Sequence, residues 1–274
     1  MLATGAALVS NNQLLAQSGS DQATPATGEV LPTGNRSVES GYAPVNGLEM
    51  YYEIHGSGEP LLLLHGAFAG IGLWGPFLTT LAESNQVIAV EFQGHGHTAD
   101  IDRPFSYEAF ADDVAALMNH LAIPRADIVG YSMGANTGLQ LAIRHPELVR
   151  KLVIISGNYR HDGYYPEVYE SIEMLTPELF AGSPLEALYL ESAPNPDDFP
   201  KLIERMKVFD STGFAWPESD LEGITAPTLI IIGDSDGVRP EHAVEMFRLL
   251  GGGVPGDLTG LPTSQLAILP GITH

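Results

Sequence analysis

The chain has 274 residues, enough for one large core or for one core with an elaborate insertion, and its 44% hydrophobic and 17% charged residues are ordinary for a soluble globular protein. Its 34 Asp and Glu against 12 Lys and Arg give a net charge of −22, which repels nucleic acid and anionic membranes but not a cationic small molecule. With no cysteine, disulfides, thiolate metal sites and a cysteine nucleophile are excluded together.

Residues 1–40 differ from the rest. LATGAALV is apolar but too short to span a bilayer, and a stretch rich in Ser, Thr, Gly, Pro and Gln follows, up to Arg36. The pattern resembles a secretory signal peptide without its basic front end. That points to a periplasmic or secreted protein, and a disordered leader on a cytoplasmic one is the alternative. Either reading sets residues 1–40 outside the fold.

The first part of the core is expected over residues 41–156. Strand-like runs are LEMYYEI, PLLLLHG, QVIAVEF, ADIVGYS and KLVIIS, with PTLIIIG and SQLAIL further on. Helical patterns lie between them. Phe110, Val114, Leu117, Met118 and Leu121 recur at helical spacing behind a candidate N-cap, Ser106. A second helix is expected from Met133 to His145 and a third from Pro240 to the triple glycine at 251–253. Strands rich in Leu, Ile and Val alternating with helices predict an α/β fold, a mostly parallel sheet covered on both faces.

Residues 157–226 break this alternation. They hold no convincing strand, yet carry ten of the 22 aromatic residues and 14 Asp and Glu against 4 Lys and Arg. An aromatic, acidic insertion of this kind predicts a helical cap over the sheet's carboxyl edge, where open α/β sheets bind ligands. Residues 227–274 then complete the core.

Gly130-Tyr131-Ser132-Met133-Gly134 fits G-x-S-x-G. The pattern is weak alone, but here a strand precedes it and a helix follows at once. That is the strand-turn-helix elbow needed to lift a serine hydroxyl clear of the backbone and set it at a helix N-terminus.

With this elbow, LLLLHGAF, VEFQGHGHT, LIIIGDSDGVRP and ILPGITH in order, the chain resembles the α/β-hydrolase fold superfamily over roughly residues 45–274. The resemblance implies a nucleophile at Ser132, followed by an acid and then a histidine. Seven of the nine histidines precede the acid segment, leaving His242 and His274. His242 lies inside the third helix and reads as exposed, whereas His274 follows a strand and a turn and is the expected base. Asp234 and Asp236 compete for the acid, and the resemblance favours Asp236.

The resemblance also places the oxyanion hole at the backbone amides of Ala67 and Met133, with His65 bracing its loop. Phe68, Tyr131, Tyr159 and Trp216 are expected to line the substrate. His95 and His97 form an H-x-H without a third ligand, so no metal is expected, and no cofactor. Family members continue into a further helix after the histidine. The reading therefore expects a truncated chain, with its base on an unsupported end and its activity impaired.

These features imply a serine hydrolase acting on a carboxylic ester or lactone. The alternatives are a C–C bond hydrolase or perhydrolase of the same fold, or a silent small-molecule-binding member. The cap's charge and aromatics favour a bulky, cationic substrate. Two stretches, EFQGHGHTADIDRPFSYE and LTGLPTSQLAILPG, faintly resemble esterases that open macrolide lactones.

Overall fold

The computed structural model describes residues 38–274. The rest of the expected leader lies outside the described residues, but Glu39 and Ser40 do not belong to it. They open strand β1 (Glu39–Val45), which pairs antiparallel with β2 (Leu48–Gly56), Glu39 facing Ile54. The sequence hid this strand because Gly41 and Pro44 interrupt its apolar pattern.

After β3 (Glu59–Leu64) and helix α1 (Gly75–Leu81), β4 (Asn85–Val90) returns to the sheet. Helix α2 (Tyr107–His120) follows, and its expected N-cap holds: the Ser106 hydroxyl accepts from the Ala109 amide at 3.1 Å. Then come β5 (Ala126–Tyr131), α3 (Met133–Arg144) and β6 (Val149–Ile155). Five helices fill the insertion: α4 (Pro166–Glu173), α5 (Pro177–Phe180), α6 (Pro184–Ser192), α7 (Phe199–Ser211) and α8 (Glu218–Glu222). The chain closes with β7 (Thr228–Gly233), α9 (Pro240–Leu249), α10 (Gly256–Thr259) and β8 (Gln265–Leu269).

The eight strands form one sheet in the order β1-β2-β4-β3-β5-β6-β7-β8, parallel from β4 to β8. Leu62, Leu63, Leu64, Ile88, Val90 and Ile128 are fully buried, as strands covered on both faces must be. Helices α2 and α3 pack together over one face.

The insertion is tied to the core by charge. Arg205 of α7 donates to the Asp100 carboxylate at 2.8 Å and to the Ile101 carbonyl at 3.1 Å, and its guanidinium lies over the Phe105 ring. This fixes α7 above the carboxyl edge of the sheet.

Candidate active site

Three adjacent parallel strands deliver the site. β6 lies between β5 and β7, so whatever follows their carboxyl ends is brought together. Ser132 follows β5, Ser156 follows β6 and Asp236 follows β7.

Ser132 adopts φ 53° and ψ −116°, a left-handed conformation that costs a non-glycine residue about 1–3 kcal/mol and persists only where the surroundings impose it. Its amide donates to Ile155 O at 2.8 Å, while its carbonyl accepts from Ala135 and Asn136 in the first turn of α3. The sharp reversal leaves the hydroxyl at the helix N-terminus, where amides and the helix dipole favour negative charge.

His274 reaches this hydroxyl. Its Nε2 lies 2.9 Å from Ser132 Oγ and its Nδ1 lies 2.8 Å from Asp236 Oδ1. Asp236 is buried, which alone would raise its pKa. Hydrogen bonds from His274, Ser156 and the Val238 amide outweigh that and hold the carboxyl below its ordinary value. Asp234, the competing acid, is turned away. It accepts from the Gly271 amide at 2.9 Å and the Ser235 hydroxyl at 3.1 Å.

The segment that leads to His274 is bonded to the loop after β7. Asp234 N donates to Leu269 O, Ser235 N donates to Ile272 O, and Gly271 N donates to Asp234. Gly233 permits this close passage, since a Cβ there would lie 2.0 Å from Ile272 O. These bonds hold residues 269–272 against the end of β7 and so fix the approach of His274.

His242 is corrected. Rather than exposed on its helix, it is 1% exposed and stacks on Tyr159, with ring centroids 4.8 Å apart. Burial lowers its pKa to about 4, with Glu245 opposing and Arg160 assisting. The helix turns this position inward, a face that periodicity around a lone histidine did not reveal.

The loop after β3 faces the serine. A Cβ on Gly66 would lie 2.9 Å from the Tyr131 ring and 3.5 Å from Ser132 Cβ. Among the described residues, the Ala67 and Met133 amides donate to no other backbone or side-chain group. His65 braces this loop: its Nδ1 meets Gly66 O at 2.7 Å and its Nε2 accepts from the Phe92 amide at 3.1 Å. Burial, then neighbouring His95, brings its pKa down to about 3, so it stays neutral. In the H-x-H pair, His95 Nδ1 meets Gln93 O at 3.0 Å and His97 Nδ1 meets the buried Glu91 carboxylate at 3.0 Å.

The expected substrate-lining residues divide. Tyr131 lies 5.4 Å from the His274 ring, and Phe68 follows Ala67 and meets Phe180 of the cap at 5.2 Å, so both sit beside the site. Tyr159 does not: it is 1% exposed and donates its hydroxyl to Glu245 at 3.0 Å. Trp216 is buried against Tyr107 and Phe214, a support for the cap rather than a lining.

Two residues that sequence reasoning missed belong to the site. Ser156, also at positive φ, 55°, donates to Asp236 Oδ2 at 2.5 Å. Tyr164 places its ring 6.2 Å from His274. Burial raises its phenol strongly, Asp210 and Asp236 add to this, and a hydrogen-bonding Ser132 opposes it. Only Ser156 left a usable sign, being a polar residue at the end of an apolar strand.

Fold and site define a hydrolase of the α/β class. The family model described as the alpha/beta hydrolase fold matches residues 59–182. A protein of Azorhizobium caulinodans named for carbamate hydrolysis, RutD, is 30% identical over 234 residues, 78% of this chain and 86% of that one. The 2-hydroxymuconate semialdehyde hydrolase of Pseudomonas sp. CF600 is 28% identical, covering 68% of this chain and 73% of its own. The meta-cleavage product hydrolase of Pseudomonas fluorescens superposes with TM-score 0.68 at 20% identity, over 86% of this chain and 90% of that one. The chain belongs to the α/β-hydrolase fold superfamily.

Proposed function

We propose that this hydrolase cleaves a carboxylic ester or lactone through an acyl-enzyme on Ser132. The observation that carries the reading is the unbroken hydrogen-bonded line from Ser132 Oγ through His274 to Asp236. His274 Nε2 takes the serine proton as Oγ attacks the carbonyl carbon, and Asp236 holds the imidazole by Nδ1 and stabilises the imidazolium. The charge that develops on the carbonyl oxygen is met by the amides of Ala67 and Met133; one such donor is worth about 10²–10³ in kcat where measured. The protonated His274 gives its proton to the leaving alkoxide, and the C–O bond breaks. Water, deprotonated by the same nitrogen, then attacks the acyl-enzyme, releasing the acid and restoring Ser132.

Nothing in this sequence of steps requires the leaving group to be an alcohol. The relative named for 2-hydroxymuconate semialdehyde favours C–C bond hydrolysis as a second reading, and the RutD relative adds a carbamate to the range of acyl groups. A screen of p-nitrophenyl esters, lactones including macrolides, carbamates and meta-cleavage dienoates, with Ser132→Ala beside the wild type, tests the proposal. Ester or lactone turnover lost in the variant supports it. Turnover confined to carbamates or dienoates replaces it.

A further inference from the structure

Glu91 stands within VEFQGHGHT, a segment whose histidines the triad does not use. It follows β4, is 3% exposed, and shares its carboxylate between two loops. Oε1 accepts from the Ile71 amide at 3.1 Å. Oε2 accepts from the His97 amide at 2.6 Å and meets His97 Nδ1 at 3.0 Å. Two glycines make room for it. A Cβ on Gly70 would lie 2.7 Å from Oε1, and one on Gly96, at φ 52°, would overlap the carboxyl group itself. Among the described residues its one ion-pair partner is His97, whose half-exposed ring lies 4.2 Å from that of Tyr51.

Ile71 opens the short helical turn Ile71–Trp74, directly after the loop that carries Ala67. That loop is therefore pinned twice to the end of β4. At its start, the His65 ring meets Gly66 O and accepts from the Phe92 amide. At its far end, the Ile71 amide is held by Glu91, the residue before Phe92. Residues 67–70 lie between the pins, with Phe68 at φ 59°, a conformation that a non-glycine residue keeps only where its surroundings impose it.

We propose that Glu91 is a positioning residue for the oxyanion hole, setting the Ala67 amide through Ile71 rather than touching the substrate. This rests on the acyl-enzyme reading of Ser132. Each carboxylate oxygen faces a backbone N–H, so the isosteric amide of glutamine cannot satisfy both: however it is turned, its NH2 meets a donor. The shorter bond, to His97, keeps the oxygen, and the Ile71 amide is released. The hole acts on charge that develops in the transition state, so loosening it lowers kcat rather than raising KM.

The test compares wild type, Glu91→Gln, Ile71→Pro and the double variant. Proline deletes the Ile71 N–H at the first position of a helical turn, where it is accepted, and behind a Gly70 that is already extended. Each form is assayed on p-nitrophenyl butyrate, and thermal melts show which forms fold. Affinity for a trifluoromethyl ketone, which adds to a serine to form an oxyanion, is measured on each and on Ser132→Ala. Each single variant should lower kcat by about tenfold to a hundredfold with KM within about threefold, and ketone affinity should fall in parallel. The double variant should lose no more than the worse single, since both remove one bond. The acid limb of the kcat/KM pH profile, which reports the base, should not move. If Glu91→Gln does not fold, Ile71→Pro alone decides. Full ketone affinity in a folded single variant, additive losses, or a shifted acid limb would overturn the inference and leave the hydrolase reading standing. If no ester is turned over, a Ser132-dependent ketone adduct weakened by the variants upholds the inference while the ester reading falls; absence of the adduct overturns both.

Discussion

Ser156 donates a buried hydrogen bond of 2.5 Å to Asp236, on the oxygen that His274 does not use. The bond joins the end of β6 to the loop after β7, and with the Val238 amide on Oδ1 it fixes the carboxylate in the plane His274 requires. Replacing Ser156 by Ala removes one of three donors. We expect kcat to fall by about tenfold with KM nearly unchanged, and Ser156→Thr to recover part of the loss, because such a bond to a charged group is worth roughly 1.5–3 kcal/mol. Steady-state kinetics on the two variants decide it; an unchanged kcat for Ser156→Ala would reduce the bond to a structural one.

The two acidic residues of the same loop should separate cleanly. Asp236→Asn mis-sets the His274 tautomer and should cost on the order of 10⁴ in kcat. Asp234→Asn keeps one oxygen able to accept from Gly271 and Ser235 but loses the charge that strengthens both bonds, loosening the segment that leads to His274. Its effect should be a lowered melting temperature and at most about a tenfold loss of kcat, since misplacement by about 1 Å costs on the order of 100-fold. Equal losses of kcat would contradict the assignment.

Buried histidines set the acid limit of stability. His242 falls from 6.5 to about 4 and His95 from 6.5 to about 4, both chiefly by burial, and His65 falls to about 3. Each is neutral in the fold and takes a proton on unfolding, so their stabilisation is complete above about pH 6.5 and is lost as pH drops toward 4. Thermal melts from pH 8 to pH 4 should show stability falling through this window. His242→Gln should flatten part of that slope and keep most of the activity, because His242 is not the base.

Asp210 acts in the opposite sense. Its folded value, about 7 against an ordinary 3.8, means that stability is greatest below about pH 4 from this group and declines as pH rises through 7. Asp210→Asn should therefore gain on the order of a few kcal/mol over wild type at pH 8 and much less at pH 5. Chemical denaturation at the two pH values measures it; an equal gain at both would show that Asp210 is not protonated in the folded protein.

Much of this was legible in the sequence because each local signal agreed with the fold. The elbow at Ser132 and the strands of the parallel sheet follow from patterns within a dozen residues, and the family resemblance supplied the order of acid and histidine. What was missed depends on contacts between distant segments. β1 hid behind a glycine and a proline, and it exists because β2 offers it an edge. The burial of His242 comes from Tyr159, 83 residues away in sequence. Tyr159 and Trp216 were expected at the substrate for their aromatic character, but burial commits them to packing.

The central claim is that Ser132 is a nucleophile activated by His274 and Asp236, and covalent labelling with a fluorophosphonate tests it most directly. Intact-mass measurement should show one adduct per chain, and peptide mapping should place it on Ser132. The rate should fall on the order of 10³-fold or more in His274→Ala and in Asp236→Asn, the scale expected when members of such a triad act as a unit. An adduct on another residue, or labelling of Ser132 at an undiminished rate in His274→Ala, would contradict the account.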